Sequence, residues 1–256
     1  MKLEKWWPWY NNIASMLGLN KEEDQRATRI LSRLLMGRTQ TPKTLADKIR
    51  GKTVVVFGAG PSLEKDLGRL MKIGFLERAV SMAADGATTA LLKTGITPDL
   101  IVTDLDGRVE DILDSHRLGS IVVVHAHGDN IERLKSVVPK FTHRIFGTTQ
   151  VKPMVRVHNF GGFTDGDRCV FLSERFAAKK IVLVGMDFGW KIGKYSKPNL
   201  ELDMEISEIK WKKLQIAKKL IEWISTWAKA EILNFTSSGE EIRGVKKLHI
   251  RKEFFS

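Results

Sequence analysis

Residues 83–107, AADGATTALLKTGITPDLIVTDLDG, constrain the fold of this chain more than any other stretch. They follow on from an apolar segment that begins at Ala79, and they contain an acidic turn, a short helical pattern closed by Gly95, a second apolar segment and a second acidic turn. Pro98 prevents the helix from continuing. The order of strand, helix and strand predicts neighbouring parallel strands in an open α/β sheet, where ligands bind at the carboxyl ends of strands.

Three aspartates follow the two apolar segments, namely Asp85, Asp104 and Asp106. If the strands are neighbours, these carboxylates converge at one edge of the sheet and repel one another unless a cation lies among them. Hard Mg²⁺ is held by carboxylate oxygens and keeps its remaining positions for water and substrate phosphates. The pattern therefore predicts a magnesium site formed by these three residues.

A glycine-containing turn follows an earlier β-branched segment in TVVVFGAGPSL. Gly58 and Gly60 allow a tight turn and a close approach of the backbone to a ligand. Pro61 suits a first helical turn, so we expect a helix from Pro61 through Lys72 whose free N–H groups face phosphate. Leu63 occupies the third glycine position of a dinucleotide fingerprint, which makes a general phosphate or ribose loop the better interpretation.

Further polar residues are expected at strand ends and at the start of a helix. The strand SIVVVHAHGDN ends in His125 and His127, which point to one face and contact substrate, pack, or bind zinc. Thr164 is a candidate helix N-cap, and Asp165 and Asp167 lie in the first turn, where carboxylates favour the helix dipole. Asp187 follows the buried strand in KIVLVGMDFGW.

The chain is expected to form an α/β fold with a Rossmann-like, open, mostly parallel sheet and helices on both faces. Three regions are predicted: a helical segment over 1–50, a catalytic core over 51–200, and a closing helix and strand over 201–256. In the first, a tryptophan cluster is interpreted as a packing anchor, Asn20 as a cap, and residues 38–52 as a polar connection. In the last, a helix over 204–229 is expected with its lysines facing solvent. Between them, residues 191–199 form a basic loop that is either a mobile lid over phosphates or an exposed loop.

Composition narrows the classes of partner. The net charge of +12 indicates either a polyanionic ligand or a heat-adapted surface. Nucleic acid is disfavoured because no compact basic run is interleaved with aromatic residues. The single cysteine excludes an internal disulfide, and no apolar run reaches the roughly 18 residues of a membrane span. With no signal-peptide pattern at the start, a soluble cytoplasmic protein is predicted, and a homodimer is left open.

The successive motifs ADGA, GITPDLIVTDLDG, FTDGDRC and IVLVGMDFG resemble those of thiamine pyrophosphokinases. With GAGPSL in the first loop, the chain is more similar to the related archaeal 6-hydroxymethyl-7,8-dihydropterin pyrophosphokinase family. The resemblance covers nearly the whole chain. Two departures from the thiamine enzymes, Ala87-Thr88-Thr89 after Gly86 and Gly107 after the second aspartate, weaken thiamine as the substrate.

That resemblance implies ATP-dependent diphosphate transfer to a reduced pterin with release of AMP, in the synthesis of methanopterin or folate-type cofactors. It implies Mg²⁺ as cofactor and ATP as co-substrate. It places Asp85, Asp104 and Asp106 near magnesium and the polyphosphate, and Thr164 and Asp165 as the paired motif that opens a helix. The sequence patterns and the resemblance together lead us to assign catalytic Asp85, Asp104, Asp106 and Asp165; nucleotide-binding Gly58, Gly60, Pro61, Ser62 and Arg168; and substrate-binding His125, His127, Asn159, Thr164 and Asp187.

Some roles stay open within this assignment. An aspartate near Asp106 is the favoured acceptor of the substrate proton, and Arg168 with the lysines of 191–197 is a candidate for transition-state charge. Asn159, Phe160 and Asp187 are available to read a pterin. Rival functions are a metal-dependent sugar-nucleotide transferase, a thiamine pyrophosphokinase, an NAD-dependent oxidoreductase and a nucleic-acid-binding module.

Overall fold

The computed structural model describes residues 2–38 and 41–248. Its helices are α1 Trp7–Leu17, α2 Lys21–Leu34, α3 Pro42–Ile49, α4 Leu63–Lys72, α5 Ala87–Lys93, α6 Val109–Arg117, α7 Ile131–Val137, α8 Asp165–Arg175 and α9 Glu208–Ser225. Its strands are β1 Thr53–Phe57, β2 Val80–Ala84, β3 Leu100–Thr103, β4 Ile121–Ala126, β5 Ile145–Thr149, β6 Val157–His158, β7 Lys180–Val184, β8 Lys191–Ile192, β9 Met204–Glu205, β10 Glu231–Asn234 and β11 Lys246–Lys247.

Nine of these strands form one sheet in the order β11-β10-β7-β1-β2-β3-β4-β5-β6, and every pairing within it is parallel. Within the sheet, the chain enters at β1 and adds strands on one side until β6 forms that edge. It then crosses back and places β7 on the other side of β1. This reversal leaves a crevice outside the carboxyl ends of β1 and β7, which is where open α/β sheets bind ligands. The predicted α/β class is confirmed.

The core lies on both faces of the sheet, as parallel strands require. Val54 and Val56 pack on one face against α1, α8 and α9. Val55 and Phe57 pack on the opposite face against α4 and α5, and the same face continues past Ile101 to α2, α6 and α7. The strands therefore consist almost entirely of apolar residues, and the polar residues that follow them lie at the carboxyl edge of the sheet.

The N-terminal helices pack directly on the sheet. The Trp6 ring is fully buried, stacks on Tyr10 and meets Phe171 edge-on, and its indole N–H donates to the Gln150 carbonyl at 2.8 Å. This contact confirms the anchor interpretation for Trp6. The predicted cap at Asn20 is also confirmed, since its side chain accepts from the N–H groups of residues 22 and 23.

Three predicted boundaries are wrong. The 38–52 connection contains α3, because Leu45 and Ile49 find buried positions one turn apart; residues 39 and 40 lie outside the described part. Helix α4 starts at Leu63, since Pro61 and Ser62 form the turn before it. The final helix starts at Glu208 because Met204 pairs with Ile192 in a two-stranded antiparallel ribbon, and Ser207 caps the helix by accepting from Lys210 N–H.

No helix among the described residues has both the length and the apolar character needed to cross a bilayer.

The Trp6 anchor gives the first testable prediction. Trp6→Ala should lower the free energy of unfolding by about 3–5 kcal/mol, the usual cost of removing a fully buried aromatic ring. Guanidinium chloride titration followed by circular dichroism measures this loss. Trp190→Ala is the matched control because that ring is 54% exposed. A Trp6→Ala loss no larger than the control would contradict the anchor role.

Candidate active site

A cleft of about 800 Å³ opens at the carboxyl edge of the sheet. Its floor is formed by the loops that follow β1, β2, β3, β4 and β7. Its walls come from the α1–α2 connection, from the 193–199 loop, and from the first turns of α8 and α9. The cleft therefore lies where the reversal between β1 and β7 predicts a ligand site.

Three carboxylates meet in this cleft: Asp85 after β2, Asp104 after β3, and Asp165 in the first turn of α8. One oxygen of each lies within 4.8 Å of the others. An all-carboxylate donor set at this spacing suits a hard divalent cation such as Mg²⁺.

The Asp85 turn is strained to bring its carboxylate inward. Asp85 has a φ of +42°, a left-handed conformation that side-chain-bearing residues rarely adopt. Thr103 Oγ1 donates to its Oδ1 at 2.5 Å, and a Cβ on Gly107 would lie 2.5 Å from its Oδ2. A side chain at position 107 would thus displace the Asp85 carboxylate from its present position.

Burial and neighbouring charges shift the pKa values of the three carboxyl groups in opposite directions. Burial, with the charges of Asp104 and Asp106, raises the pKa of Asp85 to about 7. Burial and the Asp104 charge also hold the pKa of Asp165 well above its usual range. Burial alone would raise the pKa of Asp104, but His127, Arg168 and the Asp106 N–H lower it to about 2. Opposite shifts in adjacent carboxyl groups are typical of functional sites.

Asp106 lies outside this trio. Its carboxylate pairs with Arg133 at 3.0 Å and with Lys197. Leu105, with a φ of +67°, reverses the backbone between Asp104 and Asp106. The structure thus brings together two of the three predicted magnesium ligands and adds Asp165, which had been predicted as catalytic.

Arg168 and Thr164 support the α8 side of the cleft. Arg168 is buried, and its guanidinium contacts Asp165 Oδ1 at 3.3 Å and Gln150 Oε1 at 3.1 Å. Thr164 caps α8 through a reciprocal capping box with Asp167. Both residues line the cleft, and Asp167 satisfies backbone donors while Asp165 is left free to join the trio.

The glycine loop packs tightly on the loop after β7. Gly58 N–H donates to the Val184 carbonyl at 2.8 Å and Gly60 N–H to the Gly185 carbonyl at 2.9 Å. A Cβ on Gly60 would overlap the Asp187 carboxylate. The glycines are therefore required by the neighbouring backbone and carboxylate, and both also line the cleft.

Asp187 joins the loops at the reversal of the sheet. Its Oδ2 accepts from the Ser62 N–H and hydroxyl, and its Oδ1 accepts from the Ser238 hydroxyl at 2.5 Å. These bonds organise the phosphate-loop candidate, of which Gly58 and Gly60 face the cleft.

The two histidines differ in their surroundings. His127 lines the cleft and its Nε2 lies 3.4 Å from Asp104 Oδ2. His125 is buried, with Nδ1 3.2 Å from Thr148 Oγ1 and no partner for Nε2 within the described chain. Burial and the Arg168 charge hold its pKa well below the usual value.

Two of the candidate pterin readers lie away from the main cleft. Asn159 donates to the Val151 carbonyl at 2.9 Å and accepts from Gly161 N–H at 2.9 Å. Phe160 stacks with His158. The amide of Asn159 is thus occupied in the 151–161 turn.

Comparisons with known proteins show the family of this chain. A model of the family described as 6-hydroxymethylpterin diphosphokinase MptE-like matches residues 29–193. This chain belongs to that family. A Pyrococcus furiosus relative named 6-hydroxymethyl-7,8-dihydropterin pyrophosphokinase is 47% identical over 92% of this chain and 100% of the relative. A Methanocaldococcus jannaschii relative of the same name is 44% identical over 91% and 100%.

Among solved structures, the chain is similar to the Maf glycosyltransferase of Magnetospirillum magneticum. The TM-score is 0.57 at 17% identity, over 91% of this chain and 39% of that protein. This likeness shows a shared fold.

This member of the pterin diphosphokinase family has residues in its cleft that the sequence pattern did not predict. The α1–α2 connection lines it with Leu17, Leu19, Asn20, Glu23 and Asp24, although the N-terminal helices were predicted as a separate segment. Lys210 and Lys213 of α9 line it too, so the prediction that the lysines of this helix face solvent is wrong for these two. In the sequence, the feature that could have indicated these two cleft residues is the cluster of lysines in the first turns of α9.

The 193–199 loop is pinned across the cleft. Gly193 N–H donates to the Ala59 carbonyl at 3.1 Å, and Tyr195 OH donates to Glu64 Oε1 at 2.6 Å. A Cβ on Gly86 would overlap the Tyr195 carbonyl. These contacts place the loop at the cleft and argue against a freely exposed loop, while the predicted mobility of a lid stays a prediction.

The raised pKa of Asp85 gives a pH-dependent stability prediction. An unfolded aspartate titrates near ~3.9 and folded Asp85 near about 7, so between these values the folded state binds more protons. Its contribution therefore destabilises the metal-free protein increasingly as pH rises through this window. Asp85→Asn removes that contribution.

The expected result is a higher melting temperature for Asp85→Asn than for wild type at pH 8, in chelator, with a gain that shrinks as pH falls toward 4. Differential scanning calorimetry at several pH values measures it. A gain that does not depend on pH, or no gain at pH 8, would contradict the electrostatic account.

Proposed function

We propose that this protein transfers a diphosphate group from ATP to the hydroxymethyl group of 6-hydroxymethyl-7,8-dihydropterin, giving the pterin diphosphate and AMP. The observation that carries the proposal is the carboxylate trio of Asp85, Asp104 and Asp165, next to a phosphate-loop candidate in one cleft. The names of the archaeal relatives support the substrate class. The product belongs to methanopterin or folate-type cofactor synthesis.

In this reaction the pterin hydroxyl oxygen bonds to the β-phosphorus of ATP. The bond from that phosphorus to the oxygen bridging the α- and β-phosphates breaks, and AMP leaves with the bridging oxygen. The hydroxyl proton passes to a carboxylate of the Asp104–Asp106 loop. Such transfers depend chiefly on positioning and on neutralising phosphate charge.

Asp85, Asp104 and Asp165 are the residues that would hold Mg²⁺. When bound, the ion supplies charge neutralisation at the phosphate oxygens. The chain orients this trio through Thr103, Gly107 and the first turn of α8. His127 and Arg168 keep Asp104 ionised, so at least one full negative charge is available to the cation at neutral pH.

We infer that the two substrates occupy opposite arms of the cleft. The Gly58–Gly60 loop and Asp187 lie at the β1–β7 reversal, the position where α/β sheets bind nucleotides. The other arm is lined by Leu17 and Leu19, which offer apolar contacts to a flat ring. The carboxylate trio lies on the loops between these arms, where the transferred phosphorus must be.

A buried and free Cys169 agrees with function in a reducing cytoplasm. Cell fractionation with an antibody to the protein checks this location, and recovery in the membrane or extracellular fraction would contradict it.

The function is tested by chromatography of nucleotide products. Incubation with ATP, Mg²⁺ and 6-hydroxymethyl-7,8-dihydropterin should give AMP and pterin diphosphate in equal amounts. Parallel tubes contain thiamine or a nucleotide sugar. AMP formed only with thiamine would change the acceptor, and transfer from the nucleotide sugar without AMP would favour the transferase that the fold also accommodates. No AMP in any tube would overturn the proposal.

The metal ligands are tested separately. Asp104→Asn and Asp165→Asn should each abolish turnover and the Mg²⁺-dependent rise in melting temperature. Asp106→Asn should keep that rise, because the Asp106 carboxylate is paired with the side chains of Arg133 and Lys197. Asp129→Asn is the control on the same rim, with a side chain 87% exposed. Loss of the rise in Asp106→Asn but not in Asp165→Asn would restore Asp106 as the third ligand.

A further inference from the structure

The first turns of α9 divide its lysines between the cleft and solvent. Lys210 and Lys213, three residues apart on one face of the helix, line the cleft together with Leu214. Lys212 is exposed and pairs with Glu208 within the helix at 2.7 Å. The helix therefore carries two lysines toward the site and one of the same type away from it.

The two cleft-facing lysines have no acidic partner in the described chain, where other lysines of this region do. Lys194 pairs with Glu64, and Lys197 pairs with Asp106. No ion pair or side-chain hydrogen bond of Lys210 or Lys213 occurs among residues 2–38 and 41–248. Partly buried ammonium groups without a counter-charge direct positive potential into the cleft.

Lys210 is also within electrostatic reach of the acidic loop. Burial, with the charges of Lys197 and Lys213, lowers its pKa, whereas Asp104 and Asp106 act in the opposite direction. The charges of both Lys197 and the loop that carries Asp104 therefore act on Lys210. A ligand group held there must be anionic and must lie beside the proposed cation.

We propose that Lys210, assisted by Lys213, binds the β- and γ-phosphates of the nucleotide, the group that is transferred. This inference rests on the proposed function and adds to it a binding residue on α9. The α-phosphate and nucleoside are assigned to the β1–β7 side of the cleft, so Lys210 should discriminate ATP from AMP.

Binding measurements test this without relying on turnover. Isothermal titration calorimetry with the α,β-methylene analogue of ATP and Mg²⁺ compares wild type with Lys210→Met, Lys213→Met and the control Lys212→Met. Removing the charge-assisted hydrogen bond that Lys210 donates to the phosphates should weaken analogue binding about tenfold or more. AMP binding should change less than about twofold, and the control should match wild type for both ligands.

Folding of each variant is checked by its circular dichroism melt, and Lys210→Gln replaces Lys210→Met if the latter does not fold. Wild-type affinity for the analogue in both Lys210 variants would overturn the inference. Equal losses for AMP and the analogue would also overturn it, because Lys210 would then bind the nucleoside monophosphate part. The proposed function fails by a different result, the absence of AMP formation by wild type.

Discussion

The main constraint on this structure is that the fold must hold three carboxylates close together despite their mutual repulsion. Asp85 adopts a left-handed φ of +42° to reach this position, and its pKa is raised because neighbouring charge and burial both disfavour ionisation. The parallel sheet and its two apolar faces must hold this arrangement against its own electrostatics. Asp85 and Leu105 both have positive φ values at this edge of the sheet, and backbone strain of this kind is typical of functional sites. A divalent cation would relieve the repulsion among the carboxylates.

The topology explains why the same edge serves two ligands. Because β7 returns beside β1 after the chain has reached β6, the loops after β1 and β7 meet, and Asp187 joins them through Ser62. Asp187 also holds the loop after β10 through Ser238. The remaining strand-end loops extend from β2 to β4 toward the N-terminal helices. A single cleft thus has a glycine-rich arm, an acidic centre and a helical arm in that order. This order matches the proposed arrangement of the phosphate donor, the metal and the acceptor.

Much of this arrangement could be predicted from short stretches of the sequence. The strand–turn–helix pattern over 83–107 was sufficient to predict that Asp85 and Asp104 converge, because parallel neighbours end at one edge. It could not separate Asp106 from Asp165. Proximity along the chain favoured Asp106, whereas the φ of +67° at Leu105 turns it toward Arg133. Asp165 comes from α8, which packs on the sheet only after the crossover is in place. The boundary of α9 was missed for a similar reason, since Met204 pairs with Ile192 across a loop.

The lysines of α9 show why amphipathic patterns miss cleft residues. A solvated cleft and bulk water impose the same polar requirement on a helix face, so the polar pattern alone does not show whether a lysine faces the cleft or bulk solvent. What distinguishes them is the partner: Lys212 pairs with Glu208, while the other two face a cleft in which Asp106 is already paired with Lys197 and Arg133. That pairing keeps the cationic wall from neutralising the acidic trio. Positive and negative groups therefore coexist in one cleft, and a metal–polyphosphate complex presents the opposite charge to each.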